Sequence, residues 1–182
     1  ILNPKSVEAP KDQNQTVIDA LMNPIGSKPL HEIVKPGEKI AIITSDITRP
    51  MPSKIVLPPV LDELSRAGIP DNDITIVFGL GIHRAHTEEE KEYLVGSEVY
   101  RRYNCIDSVG EFVMLGTGKH GTPFEVFKPV IDADRRICMG NIEFHYFAGF
   151  SGGAKAIMPG VSTKAAIQAN HSHMIDPAAA AG

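Results

Sequence analysis

Lys39-Ile40-Ala41-Ile42-Ile43-Thr44, answered further along by Ile74-Thr75-Ile76-Val77-Phe78, decides how this chain folds. Both are short apolar runs rich in β-branched residues, the signature of strands buried on two faces. Between them a helical pattern runs from about Ser53 to Ala67, where Gly68 stops it. A strand, a helix and a second strand in that order form a unit in which the two strands lie parallel.

The rest of the sequence repeats the alternation. Thr87-Glu88-Glu89-Glu90 is a capping box that opens a helix running toward Val95, and a second helix is expected from Ser97 to Tyr103. Phe112-Val113-Met114-Leu115 and Phe124-Glu125-Val126-Phe127 read as strands around a loop or hairpin turn from Gly116 to Thr122. Arg136-Ile137-Cys138-Met139 is the last clear strand, and Ser162 or Thr163 begins a helix toward Ala169. The expected class is α/β: a mostly parallel sheet with helices on both faces.

Composition narrows the functions open to such a chain. With 182 residues, 42% of them apolar, and a net charge of -4, it can bury one real core. Mild acidity without clustered Lys and Arg argues against nucleic acid as a partner, and no apolar run reaches the ~18 residues of a membrane span. Cys105 and Cys138 stand in no CxxC pattern, so a cytoplasmic protein without a disulfide framework is expected. Ile1 at one end, and Asp176-Pro177 reading as a helix start at the other, suggest a piece of a longer protein.

Ligands of open α/β sheets bind beyond the carboxyl ends of the strands, and there the polar residues gather. Thr44-Ser45-Asp46-Ile47-Thr48-Arg49-Pro50 follows the first strand, Gly79-Leu80-Gly81-Ile82-His83-Arg84 the second, and the segment from His145 to Lys155 the last. Arg49 offers a planar fork for a carboxylate or phosphate, against the plainer reading of a local Asp46–Arg49 ion pair. His83 follows a Gly-x-Gly that lets backbone approach closely, although two glycines alone are no dinucleotide fingerprint. His145 sits in the aromatic run Glu143-Phe144-His145-Tyr146-Phe147, where half-burial readily moves an imidazole pKa.

Ser151-Gly152-Gly153-Ala154-Lys155-Ala156-Ile157 places Lys155 after a glycine pair, between His145 and His171. Gly-Gly is also a common turn, and the Ala-rich stretch after it reads as a helix start with a solvent-facing lysine. The company of two histidines favours a covalent or cofactor anchor. A phosphate-binding loop of the Gly-Lys-Ser/Thr kind is excluded by detail, since no Ser or Thr follows the lysine. A pyridoxal Schiff base on Lys155 and a zinc site on His83, His145 and His171 stay open, as does a binding domain that has kept the fold without the chemistry.

Ser45-Asp46-Ile47-Thr48-Arg49-Pro50, Gly81-Ile82-His83-Arg84, the run from Glu143 to Lys155 and Asn170-His171, in that order, resemble the lactate racemase family. The resemblance implies a Rossmann-like N-terminal cofactor-binding domain over 1–182, a separate C-terminal domain, and racemisation or epimerisation of lactate or another 2-hydroxy acid. It also implies a nickel-pincer nucleotide, a pyridinium mononucleotide carrying nickel between two sulfur atoms and a ring carbon, made by dedicated cofactor-synthesis enzymes. Carried over by position, Lys155 would be joined to the cofactor through a thioamide and His171 would be the nickel ligand. His83 and His145 would be the acid/base pair, Arg49 would bind the substrate's carboxylate or keto oxygen, and Asp46 would support the site. Loop chemistry adds the amides of Ser151, Gly152 and Gly153 as holders of the nucleotide phosphate. The implied reaction is reversible hydride transfer, because the C2 hydrogen of a hydroxy acid is too weakly acidic for simple deprotonation. A fragment lacking the second domain is expected to be inactive.

Overall fold

The computed structural model describes residues 8–145, 148–177 and 179. Helices α1 (Gln13–Met22) and α2 (Leu30–Ile33) precede β1 (Ile40–Ser45), and α3 (Ser53–Arg66) connects it to β2 (Ile74–Gly79). Helices α4 (Glu88–Val95) and α5 (Ser97–Arg102) lead to β3 (Asn104–Asp107). A hairpin of β4 (Phe112–Thr117) and β5 (Pro123–Phe127) and the short α6 (Lys128–Asp132) precede β6 (Arg135–Cys138). Two-residue strands β7 (Phe144–His145) and β8 (Gly149–Phe150) then lead to α7 (Lys164–Ser172).

The two apolar runs are neighbours, β1 and β2, paired in parallel from Ile40 opposite Ile74 to Ser45 opposite Gly79. The main sheet has the order β3-β2-β1-β6 and every pair in it is parallel. The chain moves outward from β1 through β2 to β3, then returns to add β6 on the other side. That reversal puts a crevice beyond the carboxyl ends of β1 and β6, the place where such sheets take ligands.

Alternate residues of the strands feed two cores. Ile40, Ile42, Ile74, Ile76 and Phe78 face α3, α4 and α5, whereas Ala41, Ile43 and Val77 face Val126, Phe127, Val130 and Val161. Helices therefore lie on both faces, the second covered by short α6 together with the hairpin. Helix α3 persists through Pro58 and Pro59. A proline inside a helix costs ~3 kcal/mol, but Leu57, Val60, Leu61 and Leu64 are all buried, and burying each such side chain contributes ~1.5–3 kcal/mol.

The capping box forms as expected. Glu90 N–H donates to the Thr87 hydroxyl at 3.2 Å, and Thr87 N–H donates to the Glu90 carboxylate at 2.9 Å. Of the two candidate caps for α7, Thr163 accepts from Ala166 N–H at 3.1 Å, while Ser162 donates to the Ile157 carbonyl. The helix expected after Gly152-Gly153 is instead a single 3-10 turn, Gly153–Ala156. Pro159 cannot donate to a continuing helix, and the chain turns back here against the sheet. The aromatic pair Tyr146-Phe147 and most of the segment after Asp176 lie outside the described residues. Among the described residues no helix is long and apolar enough to cross a membrane.

Candidate functional site

The turn after β1 carries the first group. Asp46 is 3% exposed, and one oxygen of its carboxylate accepts from the Thr48 amide at 3.2 Å and the Thr48 hydroxyl at 2.7 Å. Its other oxygen is bonded to Nδ1 of His83. Arg49 N–H donates to the Asp46 carbonyl at 3.1 Å, closing the turn, so the two residues are tied through backbone, and the Asp46 carboxylate pairs with His83 rather than in the plainer local ion pair with Arg49. Behind the turn the Thr44 and Ser53 hydroxyls share a buried hydrogen bond of 2.8 Å, which fixes where β1 ends and α3 begins.

His83 comes from the loop after β2, and that loop is held at both ends. Gly81 N–H donates to the Gly160 carbonyl at 2.8 Å, and Arg84 makes a two-pronged contact with Glu90 at 2.7 and 2.6 Å. This guanidinium and the Thr87 amide pull the Glu90 carboxyl down to about 2. The His83 side chain remains 39% exposed, with its Asp46-bound edge inward.

The third group follows β6. Strands β7 and β8 form a small hairpin that carries His145, and Ser151 closes its base. The Ser151 amide donates to the Glu143 carbonyl at 2.9 Å, and its hydroxyl donates to the Asn141 carbonyl at 2.8 Å while accepting from Glu143 N–H at 2.9 Å. Both polar groups of Ser151 are thus committed to the loop. The Ser151 amide, one of the three expected to hold a phosphate, is therefore occupied within the loop. Gly152, at φ +85°, packs over Asn141, where a side chain would both strain the backbone and crowd the Asn141 carbonyl. The segment after Lys155 lies on the end of β2, where a Cβ at Gly79 would stand 3.2 Å from the Gly160 backbone, and within that segment a Cβ at Gly160 would stand 2.3 Å from the Ala156 carbonyl oxygen.

Electrostatics bring these groups together. Burial lowers the His145 pKa, and the charges of Lys155, Arg49 and His171 lower it further, with Glu143 opposing. Burial and Arg49 likewise lower the Lys155 pKa, again opposed by Glu143. The charges of Arg49, Lys155 and His171 thus reach His145, and that of Arg49 reaches Lys155, although these residues come from the β1 turn, the β7–β8 hairpin, a 3-10 turn and the last turn of α7. The 46–49 turn links them to His83. A lysine with a lowered pKa holds more of its amine in the nucleophilic neutral form.

Other expectations change. Among the described residues no group of three His, Cys, Asp or Glu side chains is arranged to hold a metal ion, which leaves the zinc site on His83, His145 and His171 without a geometry. His173 sets its ring 5.9 Å from that of His120. A cavity of about 440 Å³ beside them takes in none of the candidate residues. Sequence reading missed His86, which is buried and joined to Asp107 at 2.6 Å. Its only sequence signal was its position three residues after His83 in the same loop.

A four-stranded parallel sheet with helices on both faces, its candidate residues lying in the segments that follow its strands, defines the class as an α/β domain. Residues 1–182 match the family described as the lactate racemase N-terminal domain, and the chain belongs to that family. The lactate racemase of Thermoanaerobacterium thermosaccharolyticum is 39% identical over 156 residues, covering 84% of this chain and 36% of that protein. That of Lactiplantibacillus plantarum is 38% identical over 164 residues, 88% of this chain and 38% of its own. The structure of the T. thermosaccharolyticum lactate racemase apoprotein superposes with a TM-score of 0.82 at 36% identity, over 92% of this chain and 41% of that one. A crystal structure of a Thermotoga maritima protein shares the fold, with a TM-score of 0.65 at 21% identity over 87% of this chain and 40% of that one. The chain spans little more than a third of the length of the two racemases it matches.

Proposed function

We propose that the complete protein is a racemase or epimerase of a 2-hydroxy acid, lactate or a relative, that works with a lysine-tethered nickel-pincer nucleotide. What supports this reading is the influence of Arg49, Lys155 and His171 on His145 and of Arg49 on Lys155, with the Asp46–His83 pair on the turn that carries Arg49. The donor set suits the cofactor. Lys155 offers an amine of lowered pKa for the covalent link, and the imidazole of His171 suits a metal held in a soft sulfur and carbon field. Gly152 and Gly153 supply amides for the nucleotide phosphate.

When bound, the cofactor supplies an electrophilic carbon able to take the C2 hydrogen with its electron pair. The remaining work belongs to this chain's side chains. Arg49 receives the substrate carboxylate with its forked guanidinium. His83 donates from Nδ1 to Asp46, so Nε2 is the nitrogen that takes or returns the hydroxyl proton on one side of the substrate. His145, whose pKa burial lowers, does the same on the other side. Because the two proton carriers exchange roles with direction, loss of either impairs both.

The domain over 1–182 is read as the cofactor-binding part of a cytoplasmic enzyme, with a C-terminal domain completing the site and the isolated piece inactive. The test uses the full-length protein made together with the cofactor-synthesis enzymes and lactate deuterated at C2. Racemisation with a primary isotope effect and retention of much of the label supports the reading. Complete loss of label to water at early turnover overturns it.

A further inference from the structure

His86 is buried, its side chain 1% exposed, in a loop whose neighbours on both sides are open to solvent. Two hydrogen bonds fix its ring, one at each nitrogen. Nδ1 lies 2.6 Å from Oδ1 of Asp107, the last residue of β3, and Nε2 accepts from the Ile47 amide at 3.1 Å. The second oxygen of Asp107 accepts from the backbone N–H of His86 itself at 2.9 Å. The ring also stands edge-on to buried Phe78, with centroids 5.1 Å apart.

These contacts dictate the tautomer. A backbone amide can only donate, so Nε2 must present its lone pair to Ile47, and the ring proton must be on Nδ1, facing Asp107. The carboxylate selects that form and orients the ring, as a carboxylate does for a histidine that ligates a metal. In this loop the lone pair holds a peptide group instead. Ile47 lies between Asp46 and Arg49 in the turn, and its side chain is exposed. The pair reaches across the sheet edge from β3, because the parallel register sets Asp107 beside Phe78 at the end of β2.

We propose that His86 is a positioning residue: as its Nδ1–H tautomer, selected by Asp107, it fixes through the Ile47 amide the turn from which Asp46 and Arg49 act. Its effect on turnover rests on the racemase reading; its grip on the turn does not. The alternative is a histidine buried only for packing and for its bond to Asp107.

Two substitutions separate these roles. Glutamine carries its carbonyl oxygen where Nε2 stood and can still accept from Ile47, whereas asparagine keeps a donor near Nδ1 for Asp107 but falls short of Ile47. In the full-length protein, His86→Asn should speed hydrogen exchange of the Ile47 amide about tenfold, the loss of one hydrogen bond, while the amides of β1 keep their protection. His86→Gln should retain the Ile47 protection. In the cofactor-loaded protein kcat/KM should fall in His86→Asn and recover in His86→Gln. A packing role predicts the opposite order, with asparagine the milder change, and that order overturns the proposal. Should His86→Asn fail to fold, Asp107→Asn reads the same point, since one of its amide hydrogens must then face Nδ1–H or the His86 amide; unchanged Ile47 protection there overturns the proposal as well. The expected exchange pattern in a protein that racemises nothing would sustain the positioning role and count against the racemase reading alone.

Discussion

Asp46 grips His83 by Nδ1 while Thr48 occupies the other oxygen of the same carboxylate. A buried carboxylate so placed holds Nδ1 and leaves Nε2 as the nitrogen the proposed reaction would use. Asp46→Asn keeps the shape but can present an N–H to Nδ1 and favour the wrong tautomer. The expected result is a fall in racemisation of ~10²–10⁴-fold, the usual worth of a general acid–base residue, equal from either enantiomer. Steady-state rates of the cofactor-loaded variant check it, and a rate close to that of the wild type would show that His83 is not one of the two proton carriers.

The electrostatics of His145 give a prediction in pH. Its pKa lies below the ordinary histidine value because burial and three neighbouring cations disfavour the imidazolium. In full-length protein prepared without cofactor, the His145 NMR signal should titrate below ~6.5, the unperturbed value. Lys155→Met removes one cation and should raise the midpoint. The sign also bears on stability: the unfolded chain binds this proton more readily, so His145 opposes folding increasingly as pH falls through ~6.5 and has no such effect above it. A midpoint at or above the ordinary value would contradict the proposed convergence.

Ser151 closes the loop that leads to Lys155 through both its amide and its hydroxyl. Ser151→Ala deletes the hydroxyl's bonds to Asn141 and Glu143 and should cost about 1–2 kcal/mol in denaturant unfolding. Intact mass of the protein made with the cofactor-synthesis enzymes should then show a smaller loaded fraction. Full loading would mean that the loop holds its shape without the hydroxyl.

Gly160→Ala tests how the segment after Lys155 is seated. The new Cβ would meet the Ala156 carbonyl at 2.3 Å, and backbone there has nowhere to yield because Gly160 itself lies on Gly79. Destabilisation of about 3 kcal/mol is expected in equilibrium unfolding. A neutral substitution would show that the segment can lift from the sheet.

Much of this arrangement was legible in the residues. β1 and β2 announced themselves because a strand buried on both faces is a continuous apolar run, and α4 because its capping box is local. β3 was not legible: Asn104-Cys105-Ile106-Asp107 is four residues of mixed polarity, made a strand by pairing with β2 rather than by propensity. The hairpin β7–β8 is too short for any period to show. Helix α1 was missed because it buries no residue fully. The candidate residues could be named from loop position and from family motifs, yet two facts needed the fold. Asp46 chose His83 over Arg49, its near neighbour in sequence, and His86 gained a partner 21 residues away only through the register of β2 and β3.

The role proposed for Lys155 is that of a covalent anchor, with His171 as the metal ligand. It is tested most directly by intact mass and nickel analysis of the full-length protein made with the cofactor-synthesis enzymes. The wild type should carry an added mass that maps to the peptide containing Lys155, together with nickel. Lys155→Ala should carry no added mass, and His171→Ala should lose nickel while keeping the organic part. The same added mass on Lys155→Ala would contradict the account.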